Sequence, residues 1–76
     1  MILTILTPYD TQTHSTEAVF LPGAAGSFEV LRNHAPIIST LAAGDIRWRE
    51  GGEEKTFAVK GGSVMVRDNV ITVCAE

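Results

Sequence analysis
The chain has 76 residues, enough for one small domain, and its formal net charge of −3 with six scattered basic residues excludes a role built on neutralising phosphates. A single cysteine, Cys74, excludes an internal disulfide framework. No apolar run approaches the roughly 20 residues of a spanning helix, so any membrane association must come through a partner.

The opening run from Ile2 to Thr7 is rich in β-branched residues and stops at Pro8, which cannot donate to a sheet ladder. It lacks the basic leader and the length of a signal sequence and reads as a first strand. Tyr9 to Ser15 is polar and turn-like, with His14 as an ordinary exposed side chain. Glu17 to Leu21 forms the next short strand, ended by the turn dipeptide Pro22-Gly23. Between Ser27 and Arg32, Phe28 and Val30 alternate with Ser27 and Glu29 as the inward face of a half-buried strand. The corner His34-Ala35-Pro36 follows, extended because a residue before proline avoids the helical region. There His34 either presents its side chain to a partner or bonds a neighbouring loop to fix the turn. Ile37 to Leu41 is another strand, broken by Ala42-Ala43-Gly44.

The last third alternates most clearly. Ile46 and Trp48 face one way and Arg47 and Arg49 the other, the latter two on a solvated face. Gly51-Gly52 accepts the positive backbone angles of a tight turn, and Phe57 with Val59 forms the returning inward face. With Asp68-Asn69 as a second two-residue loop, Val66 lies opposite Ile71 and Val64 opposite Val73, four β-branched side chains on one face. No apolar 3.6-residue period persists anywhere. The expected architecture is all-β: an antiparallel β-sandwich or flattened barrel of roughly eight to ten short strands in one domain.

The inventory for chemistry is thin. His14, His34 and Cys74 have no ligand-type spacing, and Cys74 reads as a small buried hydrophobe in the closing strand. Gly23, Gly26, Gly61 and Gly62 lack the Lys-Ser/Thr and helix of a phosphate loop and read as turns or close backbone approaches. Glu53 and Glu54, adjacent at a hairpin tip, point to opposite faces and serve solubility. No catalytic residue, metal site or cofactor is predicted, which leaves a binding surface. One form of it is an exposed sheet edge that takes a partner's strand.

The order of several short motifs narrows the choice: Leu21-Pro22-Gly23, His34-Ala35-Pro36, the LxxGxI pattern from Leu41 to Ile46, Val59-Lys60-Gly61-Gly62, and Asn69-Val70-Ile71-Thr72-Val73. Over nearly its whole length the chain resembles the N-terminal β-sandwich domain of the epsilon subunit of F-type ATP synthases. The resemblance implies a non-catalytic subunit of the central stalk, peripheral on the cytoplasmic face of a bacterial plasma membrane. It would grip the gamma subunit and rest on the loops of the c ring, touching the membrane only through that ring. The matching contact segment is Gly26, Ser27, Phe28, Glu29, Arg32, Asn33, His34, Ala35 and Pro36. Ser27 aligns with an acidic position of some relatives, Glu29 stands where many carry glycine, and Arg32-Asn33 replaces a common Pro-Gly. Residues 1–76 cover the sandwich alone, so the resemblance also leads us to expect no C-terminal helical hairpin and no ATP site.

Overall fold
The computed structural model describes residues 1–76 as nine strands in two packed sheets, with no helix. The strands are β1 (Ile2–Leu6), β2 (Thr11–Ser15), β3 (Ala18–Leu21), β4 (Phe28–Val30), β5 (Ile37–Leu41), β6 (Gly44–Glu50), β7 (Glu53–Val59), β8 (Gly62–Arg67) and β9 (Val70–Ala75). One sheet runs β2-β1-β9-β8-β5 and the other β4-β3-β6-β7. The overall extents are 25 × 24 × 17 Å.

Both two-residue loops are as expected. Gly51 and Gly52 have φ of 60° and 81°, Asp68 and Asn69 of 51° and 62°. Two consecutive positive φ values give the turn whose twist matches that of a hairpin. The Asp68-Asn69 turn fixes the register predicted above, with Val66 opposite Ile71 and Val64 opposite Val73, and all four side chains are buried.

Strand alternation builds the core. Leu3, Ile5, Ile71, Val73, Val64 and Val66 point inward from the larger sheet and meet Val19, Leu21, Val30, Ile46, Trp48 and Val59 from the smaller. Phe28 and Phe57 are half-buried against this cluster. Every buried side-chain nitrogen or oxygen has a hydrogen-bond partner. Gly62 is required by contact as well as by its φ of 140°: a Cβ there would clash with the Cys74 carbonyl oxygen on the neighbouring strand.

Four expectations change. Tyr9 to Ser15 is not all turn, because Thr11–Ser15 pairs antiparallel with β1 as an edge strand. The sandwich is not wholly antiparallel, since β1 and β9 run parallel side by side. Cys74 is exposed, lying on the opposite face of β9 from Ile71 and Val73. His14 is half-buried, because its strand position faces inward beside Leu3.

Candidate functional site
The segment Gly26 to Pro36 carries the chain from one sheet to the other. It contains β4, the edge of the four-stranded sheet, and the crossing loop that leads to β5, the edge of the five-stranded sheet. One margin of the sandwich is thus made of this continuous stretch. Along it Gly26, Ser27, Glu29, Arg32, Asn33, Ala35 and Pro36 are exposed, and Phe28 and His34 are half-buried. Phe28 sits opposite Leu21 and Val30 opposite Val19, so two inward anchors hold β4 while Glu29 projects outward between them.

The crossing loop is shaped by local bonds. The His34 amide donates to the Leu31 carbonyl at 3.1 Å, closing a turn in which Asn33 has φ of 64°, a value asparagine tolerates better than most residues. The His34 Nδ1 donates to the Ala35 carbonyl at 2.8 Å, so the ring braces the corner. Asn69 was not expected to matter here. Its Oδ1 accepts the Asn33 amide at 2.6 Å and its Nδ2 donates to Asn33 Oδ1 at 3.1 Å, tying the loop to the β8–β9 hairpin. A positive-φ asparagine at the predicted turn was the only sequence signal for it.

Beyond Pro36 the margin opens into an apolar groove of about 390 Å³, lined by Pro36, Ile37, Ile38, Met65, Val66 and Arg67. The groove runs onto the outer face of the five-stranded sheet. That face carries exposed Ile2, Ile38, Met65 and Val70 among serine and threonine side chains. Arg67 is the only charged residue that its five strands direct outward. The outer face of the four-stranded sheet differs: Glu29, Asp45, Arg47, Arg49 and Glu54 all project from it. There the Arg47 guanidinium lies over the Phe20 ring, 4.9 Å from its centroid, and 3.7 Å from Glu54. Arg47 is therefore engaged by neighbours, and Arg49 shares its solvated face.

Nothing in this geometry assembles a reacting centre. No three His, Cys, Asp or Glu side chains come together to hold a metal ion, and Cys74 is exposed opposite Leu6 and Ser63 of the neighbouring strands. Glu53 and Glu54 are both exposed. No helix is long and apolar enough to cross a membrane. What the sandwich presents to its surroundings is a polar margin and an adjoining sheet face with one charge, Arg67.

Comparison with known proteins agrees in fold and family. Residues 1–76 match the model of the ATP synthase delta/epsilon chain β-sandwich domain. The ATP synthase epsilon chain of Symbiobacterium thermophilum is 42% identical over 78 residues, which cover 100% of this chain and 56% of the relative. That of Desulfitobacterium hafniense strain DCB-2 is 43% identical over 60 residues, 79% of this chain and 46% of its own. The chain thus spans about half the length of these relatives. The same fold occurs in a chain of the Euglena gracilis mitochondrial ATP synthase, with a TM-score of 0.90 and 23% identity over 99% of this chain and 49% of that one. It also occurs in the central stalk and c-ring structure of the Tetrahymena thermophila mitochondrial enzyme, with a TM-score of 0.83 and 22% identity over 99% of this chain and 62% of that one. By the match along its whole length, the chain belongs to the ATP synthase delta/epsilon family, as a β-sandwich domain of the epsilon type.

Proposed function
We propose that this domain is a non-catalytic rotor element of a proton-translocating F-type ATP synthase, joining the gamma subunit to the c ring on the cytoplasmic side of a bacterial plasma membrane. The observation that supports the reading is that one two-sheet sandwich presents both an exposed polar margin and a largely apolar, nearly uncharged sheet face. The margin from Gly26 to Pro36 offers Glu29, Arg32 and Asn33 to polar loops of the ring, and the outer face of the five-stranded sheet, whose one charge is Arg67, packs against gamma. Membrane contact is indirect, through the ring.

Rotation of the ring drives the catalytic head only if its joint with gamma does not slip. A small sandwich suits that task because its contact side chains stand on hydrogen-bonded strands and on a loop braced by Asn69. Strand addition at the β5 edge is less well supported. The Thr40 carbonyl on that edge already accepts the Ala24 amide at 2.9 Å, and Ala42 donates to Pro22 at 2.8 Å, so the Thr40–Ala42 end of the edge is already engaged.

The test is reconstitution with a gamma–c-ring subcomplex. Glu29→Lys and Arg32→Glu are each expected to weaken binding, with the loss shrinking as added salt screens the new repulsion. Complexes assembled without the domain are expected to hydrolyse ATP while pumping protons poorly. Undiminished ring binding by both variants would remove the ring assignment, and full pumping without the domain would remove the coupling role.

A further inference from the structure
Apolar side chains are not spread evenly over the outer face of the five-stranded sheet. Cross-strand register gathers the exposed large ones at one end, in neighbouring rows. Ile38 of β5 stands opposite Met65 of β8. One pleat further along β8, Arg67 stands opposite Val70 of β9, which in turn pairs with Ile2 of β1. Ile38, Met65, Val70 and Ile2 are all exposed. At the other end the cross-strand row reads Thr40, Ser63, Cys74, Leu6 and Thr11, and none of these is an exposed large apolar side chain. Arg67 is thus the one charge of the face and lies within its apolar end.

The guanidinium also stands at a junction. It borders the groove lined by Pro36, Ile38 and Met65, and it precedes the Asp68-Asn69 turn, whose asparagine is bonded to the crossing loop of the polar margin. Its closest carboxylate is that of Asp68, with Nε 3.5 Å from Oδ2, and the two side chains are 78% and 88% exposed. A pair so open to water contributes little and leaves the flat end of the guanidinium free to meet another group. Any surface laid over this end of the sheet must therefore answer the charge. Apolar groups alone would strip its water and return nothing. A carboxylate on the partner would accept two parallel N–H bonds from the guanidinium fork and leave the apolar side chains around it to close the contact.

We propose that Arg67 is the specificity-determining residue of this face: gamma seats an apolar side chain in the Ile38–Met65 groove and sets an aspartate or glutamate carboxylate of its own on the Arg67 guanidinium. The inference rests on the reading that gamma covers the five-stranded sheet, and it adds the chemistry that gamma must present there. The two parts of the contact do different work. Apolar side chains on a flat sheet face supply affinity but tolerate sliding, whereas a forked ion pair has one geometry and fixes the register of the two proteins. For a joint that transmits torque, that register is what prevents slip.

Titration of the isolated gamma subunit with the 76-residue chain and two of its variants tests this. Arg67→Leu keeps apolar bulk and removes the charge. It is expected to weaken gamma binding about tenfold or more, and to flatten the fall of affinity that the wild type shows with added salt. The sign of the change is decisive. With no carboxylate opposite Arg67, removing a charge from an apolar contact leaves binding unchanged or tightens it, and either result overturns the proposal. Ile38→Asn separates the proposal from the reading beneath it, because this exposed position can lose its groove contact without disturbing the core. Weakened binding by Ile38→Asn beside undiminished binding by Arg67→Leu would remove the carboxylate and leave gamma on the face. Undiminished binding by both variants would take gamma off the face and the proposal with it.

Discussion
At the scale of single residues, Glu50 is the group whose chemistry the fold alters most clearly. Its carboxyl is held below the usual carboxylate range, chiefly by the hydrogen bond from the Trp48 indole and further by the charges of Lys55 and His14, against partial desolvation that acts the other way. A carboxyl with a depressed folded value contributes stability that is present above the ordinary carboxylate range and lost as pH falls through the folded value. Glu50→Gln is therefore expected to lower Tm at neutral pH, with the deficit shrinking as both proteins are taken down to about pH 3. A deficit that is constant with pH would mean that carboxylate shape, not charge, is what the site uses. The same neighbourhood shows where residue-level reading stops. His14 lies in a polar run and reads as exposed, since its core-facing place depends on pairing with Leu3 and on a tryptophan 34 positions away. Cys74 is the reverse case: strand parity alone already put it on the face away from Ile71 and Val73, and its apolar character was the misleading cue.

At the scale of elements, the hairpins were the most legible parts because turn chemistry and alternation agree there. Gly51-Gly52 and Asp68-Asn69 are residues that accept positive φ, and each is flanked by inward β-branched or aromatic side chains, so register follows from counting outward. Edge strand β2 was hidden because its sequence has no apolar alternation, and it is held by backbone bonds to β1 and by the His14 contacts. The parallel pairing of β1 with β9 leaves no local trace, because it joins the two ends of the chain without a turn. In the candidate interface, the outward place of Glu29 between Phe28 and Val30 could be read from strand alternation, but the brace from Asn69 could not, since it spans 36 positions. A further test belongs at this scale. Gly62→Ala places a Cβ against the Cys74 carbonyl and keeps a residue at φ of 140°, so β8 and β9 must separate locally. Loss of about 1–3 kcal/mol in urea unfolding is expected. A neutral result would show that the two strands yield at that point without cost.

For the whole molecule, the two sheets share the core through their inner faces, and their outer faces differ, the five-stranded one carrying a single charge, Arg67. A domain of this size is expected to be stable by only about 4–11 kcal/mol. Ile71, fully buried at the centre of the larger sheet, is the natural probe of the inner layer. Ile71→Ala should cost about 2–5 kcal/mol, a large share of that total, and should show as a much lower urea midpoint. Met65 lies on the same sheet but outward, 47% exposed, beside Ile38 and Thr72. Met65→Glu should leave stability within about 0.5 kcal/mol of wild type, as surface changes generally do. If gamma rests on this face, a carboxylate buried there in place of an apolar side chain should still weaken gamma binding by tenfold or more. The two variants separate the roles of the layers, because stability and binding respond in opposite order. Should Met65→Glu bind gamma undiminished, the outer face of the five-stranded sheet would not be the gamma surface, and the charged face of the four-stranded sheet around Arg47 would have to take that place.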